Sequence, residues 1–318
     1  MLMNSFISHY INYHPIRTQR GLEILTGLVP WLVIAFVILG SFVIPDVIAY
    51  FIIAFNIYWL YRSAQLAIFA TLGYLNIKAT QKIDWLKKLD KTDVWHIVVI
   101  PNVKEPIELL ERNLDSLLAQ TYPLKKIMVV VAMEQRAGKD FNKKRADYLL
   151  RKYKNRFGKF IATFHPLLPG ETIGKHSNEA YAANQAKRIL VDQEKIKIEN
   201  ITLTTSDIDC VFPTQYFSLL TYKFKTSPNP VNDFFQAPLF MYNNISRVPL
   251  PIRLPSIISG VYFLSTLQKY SKRFVNFSTY SLSLKLLDSV GYWDLDVIPE
   301  DAHLFYKCYF ANKGNISV

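Results

Sequence analysis

Residues Ile201–Cys210, ITLTTSDIDC, decide how the rest of the chain is read. Five β-formers (Ile201, Thr202, Leu203, Thr204, Thr205) run into two carboxylates, Asp207 and Asp209, with apolar Ile208 between them. In a strand, residues i and i+2 face the same side, so two carboxylates at a strand's end can converge on one ion. Hard oxygen donors suit Mg2+ or Mn2+, which keep open positions for phosphate oxygens. One reading is therefore a D-x-D site for the diphosphate of a nucleotide-sugar, held by Asp207 and Asp209. The other is a plain turn, because Asp is common where strands stop.

Upstream of this stretch the pattern alternates. VWHIVVIP (Val94–Pro101) reads as a buried strand stopped by Pro101. Ile107, Leu110, Leu114 and Leu117 then recur at helical spacing. KKIMVVVAME (Lys125–Glu134) is a second apolar strand, residues 139–157 a basic helix, KFIATFHP (Lys159–Pro166) a third strand. Gly174–Leu190 is a third helix with Ala180, Ala183, Ala186 and Leu190 on one side. Alternating strands and helices imply crossover units and a mostly parallel sheet. Near-continuous apolar strands imply that both faces are covered. Ligands of such sheets sit outside the carboxyl ends of the strands. Three such ends carry carboxylates here: Glu105 in Pro101–Glu105, Glu134 in Ala132–Arg136, and Asp207–Asp209.

Upstream again the composition changes. Hydrophobic residues make up 50% of the 318, and they are unevenly spread. Leu22–Ile44 is uncharged apart from Glu23 and long enough to cross a bilayer as a helix. Pro45 and Asp46 break it, and a second apolar block runs from Val47 to about Ala70 with Arg62 inside it. Arg17 and Arg20 precede the pair, Lys78, Lys82, Lys87, Lys88 and Lys91 follow it, and the turn between has no Lys or Arg. The positive-inside bias then puts both ends in the cytoplasm. The expected organisation is a cytoplasmic segment (1–21), a transmembrane hairpin (22–75), a basic linker (76–93) and an α/β domain (94–318). The expected location is integral to a bacterial-type plasma membrane, with the α/β domain cytoplasmic.

The formal net charge of +12 admits nucleic acid, anionic lipid or a phosphorylated substrate. The basic helix has no interleaved aromatic platform, so nucleic acid is not expected; a solvated face is the default. Two cysteines far apart, Cys210 and Cys308, support neither a disulfide framework nor a zinc site. After the D-x-D, NDFFQAPLFMYN (Asn232–Asn243) reads as a strand and Leu254–Tyr270 as a helix. A last helix starts near Pro299, with Glu300 and Asp301 in its first turn. Those acids either favour the helix dipole or supply a general base for a hydroxyl nucleophile.

This order of elements resembles family 2 glycosyltransferases with the GT-A fold, within the membrane-associated cellulose/hyaluronan-synthase-like group. The resemblance covers about residues 94–318. It is carried by PNVKE (Pro101–Glu105), SLLAQTYPLKKIMVVV (Ser116–Val131), GKHSNEAYAAN (Gly174–Asn184), SDIDC (Ser206–Cys210), SGVYFL (Ser259–Leu264) and GYWDLDVIPEDAHLFYK (Gly291–Lys307). It implies that Glu105 and Glu134 face the nucleoside, that Lys175 meets the diphosphate, and that Asp207 and Asp209 hold Mg2+ or Mn2+. It also implies that Asp301 is the base, oriented by Glu300 or His303. Ala132 stands where the family has an Asp. The Q-x-x-R-W motif and later membrane helices of processive members are not in this sequence, and the domain reads as C-terminally incomplete. The expected function is inverting transfer of a sugar from a nucleotide-sugar, a UDP-sugar by preference, to a polysaccharide or lipid-linked acceptor. The alternative is a membrane-anchored, non-catalytic nucleotide-binding partner of a polysaccharide synthase.

Overall fold

The computed structural model describes residues 14–243, 245–270 and 274–318. Most of the expected N-terminal segment, residues 1–13, lies outside the described residues. The chain divides into two compact units, Met1–Gln65 and Leu66–Val318.

The first unit is built on helix α1 (Pro15–Val43) and the start of α2 (Pro45–Gln81), broken at Ile44. Both helices extend beyond the apolar blocks read from the sequence. Ile48 packs on Gly40, where an added Cβ would come within 2.7 Å of it. Phe36 meets Phe51 edge-on at 5.8 Å. Almost every other large apolar side chain here is exposed, Leu32, Leu39, Ile53 and Leu60 among them. Helices apolar on all sides belong in lipid. Among the described residues three helices are long and apolar enough to cross a membrane: α1, α2 and a later one, α7 (Leu250–Tyr270). The sequence pattern had marked only the first two as spans.

The second unit is a six-stranded sheet with helices on both faces. Its elements are β1 (Trp95–Asn102), α3 (Ile107–Leu118), β2 (Ile127–Glu134), α4 (Lys139–Tyr153), β3 (Lys159–His165), α5 (Lys175–Lys187) and β4 (Ile201–Thr205). There follow α6 (Tyr216–Thr226), β5 (Phe234–Phe235), α7, β6 (Tyr280–Ser283), α8 (Leu284–Ser289) and α9 (Glu300–Ala311). Spatial order is β3-β2-β1-β4-β6-β5. The first four strands are parallel; β6 runs antiparallel to both its neighbours, β4 and β5, so β5 points the same way as the first four.

Strand pleating divides the core in two. Ile97 and Val99 of β1, with Met128 and Val130 of β2, join the alanines of α5 on one face. Val98, Ile100, Val129 and Val131 join α3 and α4 on the other. This is the two-faced burial that continuous apolar strands require.

Three local readings differ in the structure. β1 continues through Pro101 to Asn102. The Val99 carbonyl already accepts the Ser206 N–H, and β4 pairing ends at Val99↔Thr205. Pro101 faces the same side, beyond that ladder, so its missing N–H breaks no bond. Asn232–Asn243 keeps only Phe234–Phe235 as strand, because β6 offers it just two pairing positions, Leu282 and Ser281. The stretch read as a basic linker is helical up to Gln81, and the Trp85 N–H then donates to Gln215 Oε1 at 2.7 Å.

Candidate functional site at the carboxyl edge of the sheet

Strand order reverses between β1 and β4, the place where open α/β sheets leave a crevice. Four segments distant in sequence meet there. β4 delivers Asp207, and the N-terminus of α5 delivers Lys175 behind Gly174. The first turn of α9 delivers Glu300 and Asp301. The fourth segment follows from strand polarity. Because β6 is antiparallel to β4, with Tyr280 opposite Thr205, residues 276–279 arrive at the carboxyl end of β4.

Lys175 is the hub. Its Nζ lies 3.5 Å from Asp207 Oδ1, 3.3 Å from Glu300 Oε1 and 3.3 Å from Asp301 Oδ2. The Ser278 N–H donates to Asp301 Oδ2 at 2.7 Å, and the Ser278 hydroxyl donates to Asp207 Oδ2. One residue thus ties two of the carboxylates together. Glu179, one turn beyond Lys175 on α5, is fully buried and accepts a hydrogen bond from Thr205 Oγ1. Glu179 Oε2 and Asp301 Oδ1 are buried without a hydrogen-bond partner.

Burial controls the protonation of this cluster. Desolvation raises Asp301 above the usual carboxylate range, against the pull of the Lys175 ammonium and the Ser278 N–H. Glu179 is pushed up to about 8, by desolvation first, with Lys175 opposing. Desolvation is the largest influence on Lys175 and pulls it down, but Glu179, Asp301, Asp207 and Glu300 together hold it above its ordinary value. Three carboxylates, Asp207, Glu300 and Asp301, therefore face one ammonium, with burial favouring the neutral form of Glu179 behind them.

The D-x-D is a turn rather than the end of a pleat. β4 stops at Thr205, and the Cys210 N–H donates to the Asp207 carbonyl at 3.1 Å. The same-side argument for i and i+2 does not operate here. Asn113 of α3 donates to the Asp207 carbonyl at 2.9 Å, and the Asp207 N–H donates to Thr279 Oγ1 at 3.3 Å. Asn243 donates to the Asp209 carbonyl at 2.8 Å. The turn is therefore pinned from three sides, while the exposed Asp209 carboxylate makes no hydrogen bond or ion pair among the described residues. No group of three or more His, Cys, Asp or Glu side chains forms a ready-made metal cage among the described residues. The donor set still fits a hard divalent ion sharing its shell with phosphate: two carboxylates on one short turn, beside a cluster with excess negative charge.

The other expected residues sit further along the same edge. Glu105 Oε2 accepts the Val103 N–H at 2.6 Å, closing its own loop after β1. Glu134 is buried at the end of β2 and paired with Arg136. His303 Nδ1 is 3.0 Å from Asp294 Oδ2, so it is Lys175 and Ser278, not His303, that hold the Asp301 carboxylate. Three residues of the edge escaped the sequence reading. Arg145 belongs to the basic helix, yet it donates to Asn102 Oδ1 at 2.7 Å and to the Glu105 carbonyl at 2.6 Å. Ser278 and Glu179 are the others. Glu179 carries one available signal, a carboxylate four residues after Lys175 on the face of an alanine-rich helix. Cys210 and Cys308 are free, and burial pushes their thiols up to about 11 and about 12; they pack rather than react.

No family model matches the chain, and no curated protein does. Solved structures do. The chain is similar to the mannosyltransferase PcManGT from Pyrobaculum calidifontis, in complex with GDP-Man and Mn2+. Identity is 18% and TM-score 0.43, covering 78% of this chain and 62% of that one. It is similar to S. aureus TarS 1-349 in complex with UDP-GlcNAc, with identity 14% and TM-score 0.40, covering 70% and 55%. Mouse xyloside xylosyltransferase 1 matches at 12% identity and TM-score 0.34, covering 70% and 84%. The chain thus spans less than two thirds of the PcManGT and TarS chains. Each TM-score lies below 0.5, so the site rests on its own geometry.

Proposed function

We propose that the chain is a membrane-bound inverting glycosyltransferase of the family 2 type, moving a sugar from a nucleotide-sugar, a UDP-sugar by preference, to a glycan or lipid-linked hydroxyl. The observation that carries this reading is the meeting of Asp207, Lys175, Glu300 and Asp301 at the switch point. These residues come from three stretches far apart in sequence, which the resemblance to family 2 glycosyltransferases had assigned to one transfer site.

Asp301 takes the proton of the acceptor hydroxyl. Its Oδ2 is held by the Ser278 N–H and Lys175, and its Oδ1 has no partner, which leaves one oxygen for the incoming proton. Desolvation raises its pKa and so makes it a better base than a solvated carboxylate. Lys175 lies between the base and the D-x-D turn, where its ammonium can move from Asp207 to a diphosphate oxygen when one arrives. Asp207 and Asp209 would hold Mg2+ or Mn2+, whose chemistry there is charge neutralisation on the leaving diphosphate. Glu105 and Glu134 flank the nucleoside end.

The test is UDP titration of the full chain in detergent, with and without Mn2+, in wild type, Asp209→Asn and Asp301→Asn. Mn2+-dependent binding lost in Asp209→Asn and kept in Asp301→Asn, with sugar transfer lost in both, is the expected outcome. Binding with no transfer from any donor would favour the non-catalytic partner. No binding by wild type under any condition would overturn the donor site.

A further inference from the structure

The exposed apolar surface of the second unit has a pattern that the transfer site does not use. From Phe234 to Leu287 the chain carries no Asp or Glu and six Lys or Arg. Within that stretch, the C-terminal half of α7 packs on the end of α2. Leu264 closes over Gly73, where an added Cβ would come within 2.7 Å of it, and Asn76 Nδ2 donates to Gln268 Oε1 at 2.9 Å. The N-terminal half is bare: Leu250, Ile252, Leu254, Ile257 and Ile258 are 43–67% exposed. Phe240 and Tyr242 stack at 5.5 Å beside Gly260 of the same helix and are exposed too.

By length and composition α7 could cross a bilayer; its connections rule that out. Asn243, before the helix, bonds the Asp209 carbonyl. Ser278, after it, bonds Asp207 and Asp301. Gln236 and residues 277–279 are tied together as well, through bonds of 3.0 and 3.2 Å. A single crossing would put the two flanks on opposite sides of a hydrocarbon layer about 30 Å thick, yet both meet at one site.

We infer that α7 lies in the plane of an anionic membrane surface. Leu250, Ile252, Leu254, Ile257 and Ile258, with Phe240 and Tyr242, enter the acyl region; Arg247 stays at the headgroups, and Arg253 is turned inward onto the Val248 and Ser246 carbonyls. Apolar and aromatic side chains beside basic residues, without acids, are the composition of an interfacial helix. A protein partner is less well matched, since nothing in this stretch offers an acid to a partner's base. The surface borders Asp209, so on the transfer reading an acceptor with an apolar chain would reach the site from the lipid. That last clause rests on the proposed function; the docking surface does not.

The experiment uses the full chain in Cys210→Ser background, reconstituted in phosphatidylcholine vesicles with and without phosphatidylglycerol. Ile258→Cys and, as a control on exposed α4, Lys144→Cys each carry a bimane label. The Ile258 label loses most of its emission to doxyl-lipid and resists aqueous iodide, and Lys144 shows the reverse. The lipid quenching grows with phosphatidylglycerol and shrinks severalfold in Arg247→Glu. Iodide quenching of Ile258 equal to that of Lys144 would overturn the inference, as would protection from both quenchers, which would mean a protein or a second copy covers the face. None of these readouts requires sugar transfer.

Discussion

Lys175 and Glu179 stand one helical turn apart on α5 and have opposite problems. Lys175 is a half-buried cation with too many partners; Glu179 is a buried acid with too few. Removing the ammonium in Lys175→Met takes away a charge that favours ionised Asp301, so the Asp301 pKa moves further up. On the proposed role of Asp301 as base it must be deprotonated to act, so the acid limb of the pH–rate profile should shift to higher pH. The rate should fall by roughly 10²-fold, the usual loss for one preorganised charge. Transfer kinetics across pH check both. Glu179 has a sign that can be worked out for stability. Its folded pKa, about 8, lies above the unfolded value near 4.5. The native state therefore binds the extra proton, and its stabilising contribution is full below about 4.5 and is lost as pH rises to about 8. Glu179→Gln keeps the Thr205 bond and removes the titration. Its melting temperature should stay flat between those limits where wild type declines. A parallel decline in both proteins would show that Glu179 is not the group responsible. Asp207, Lys175 and Asp301 were legible in the sequence as types at the ends of elements. Glu179 and Ser278 were not, because what makes them part of the site is a neighbour more than 20 residues away.

At the scale of elements, the close approaches are the sensitive points. Gly158 lies between α4 and β3, and its N–H donates to the Leu124 carbonyl at 2.8 Å and the Ile127 carbonyl at 3.0 Å. An added Cβ would collide with the Lys125 carbonyl, which is backbone and cannot rotate away. Gly158→Ala should cost roughly 1–3 kcal/mol, the range for overpacking, measured by chemical unfolding of the detergent-solubilised chain; an unchanged midpoint would refute it. At Gly73 the atoms in the way are the Leu264 side chain, which can turn, and the same substitution there should cost less. The long elements were legible from apolar spacing: β1, β2, β3, the alanine face of α5 and the start of α9. β6 was not, since four residues, all buried, show no alternation. The D-x-D turn was misread as a pleat for a related reason. Whether β4 stops at Thr205 depends on where β1 stops offering bonds.

For the whole molecule, the two-helix unit and the charge of +12 lead to one prediction. Exposed apolar side chains cover most of α1 and of α2 up to Tyr61, a surface that water does not tolerate. The chain should remain in the membrane pellet after high salt and after alkaline carbonate, and enter solution only with detergent. Release by salt alone would mean that charge, not insertion, holds it there.

What the sequence determined by itself was the set of elements and their chemistry. Two blocks are long and apolar enough to cross a bilayer, and alternating apolar strands and helices could only cover both faces of a mostly parallel sheet. Acids stood where strands and helices end. These follow from local pattern, because burial on one or both faces fixes the spacing of apolar residues. The tertiary structure decided which ends meet. The antiparallel run of β6 brings Ser278 onto Asp207 and Asp301, the packing of α5 puts Lys175 among three carboxylates, and the flanks of α7 return to one site. Each depends on strand direction or on a contact between distant residues, and no local spacing encodes either.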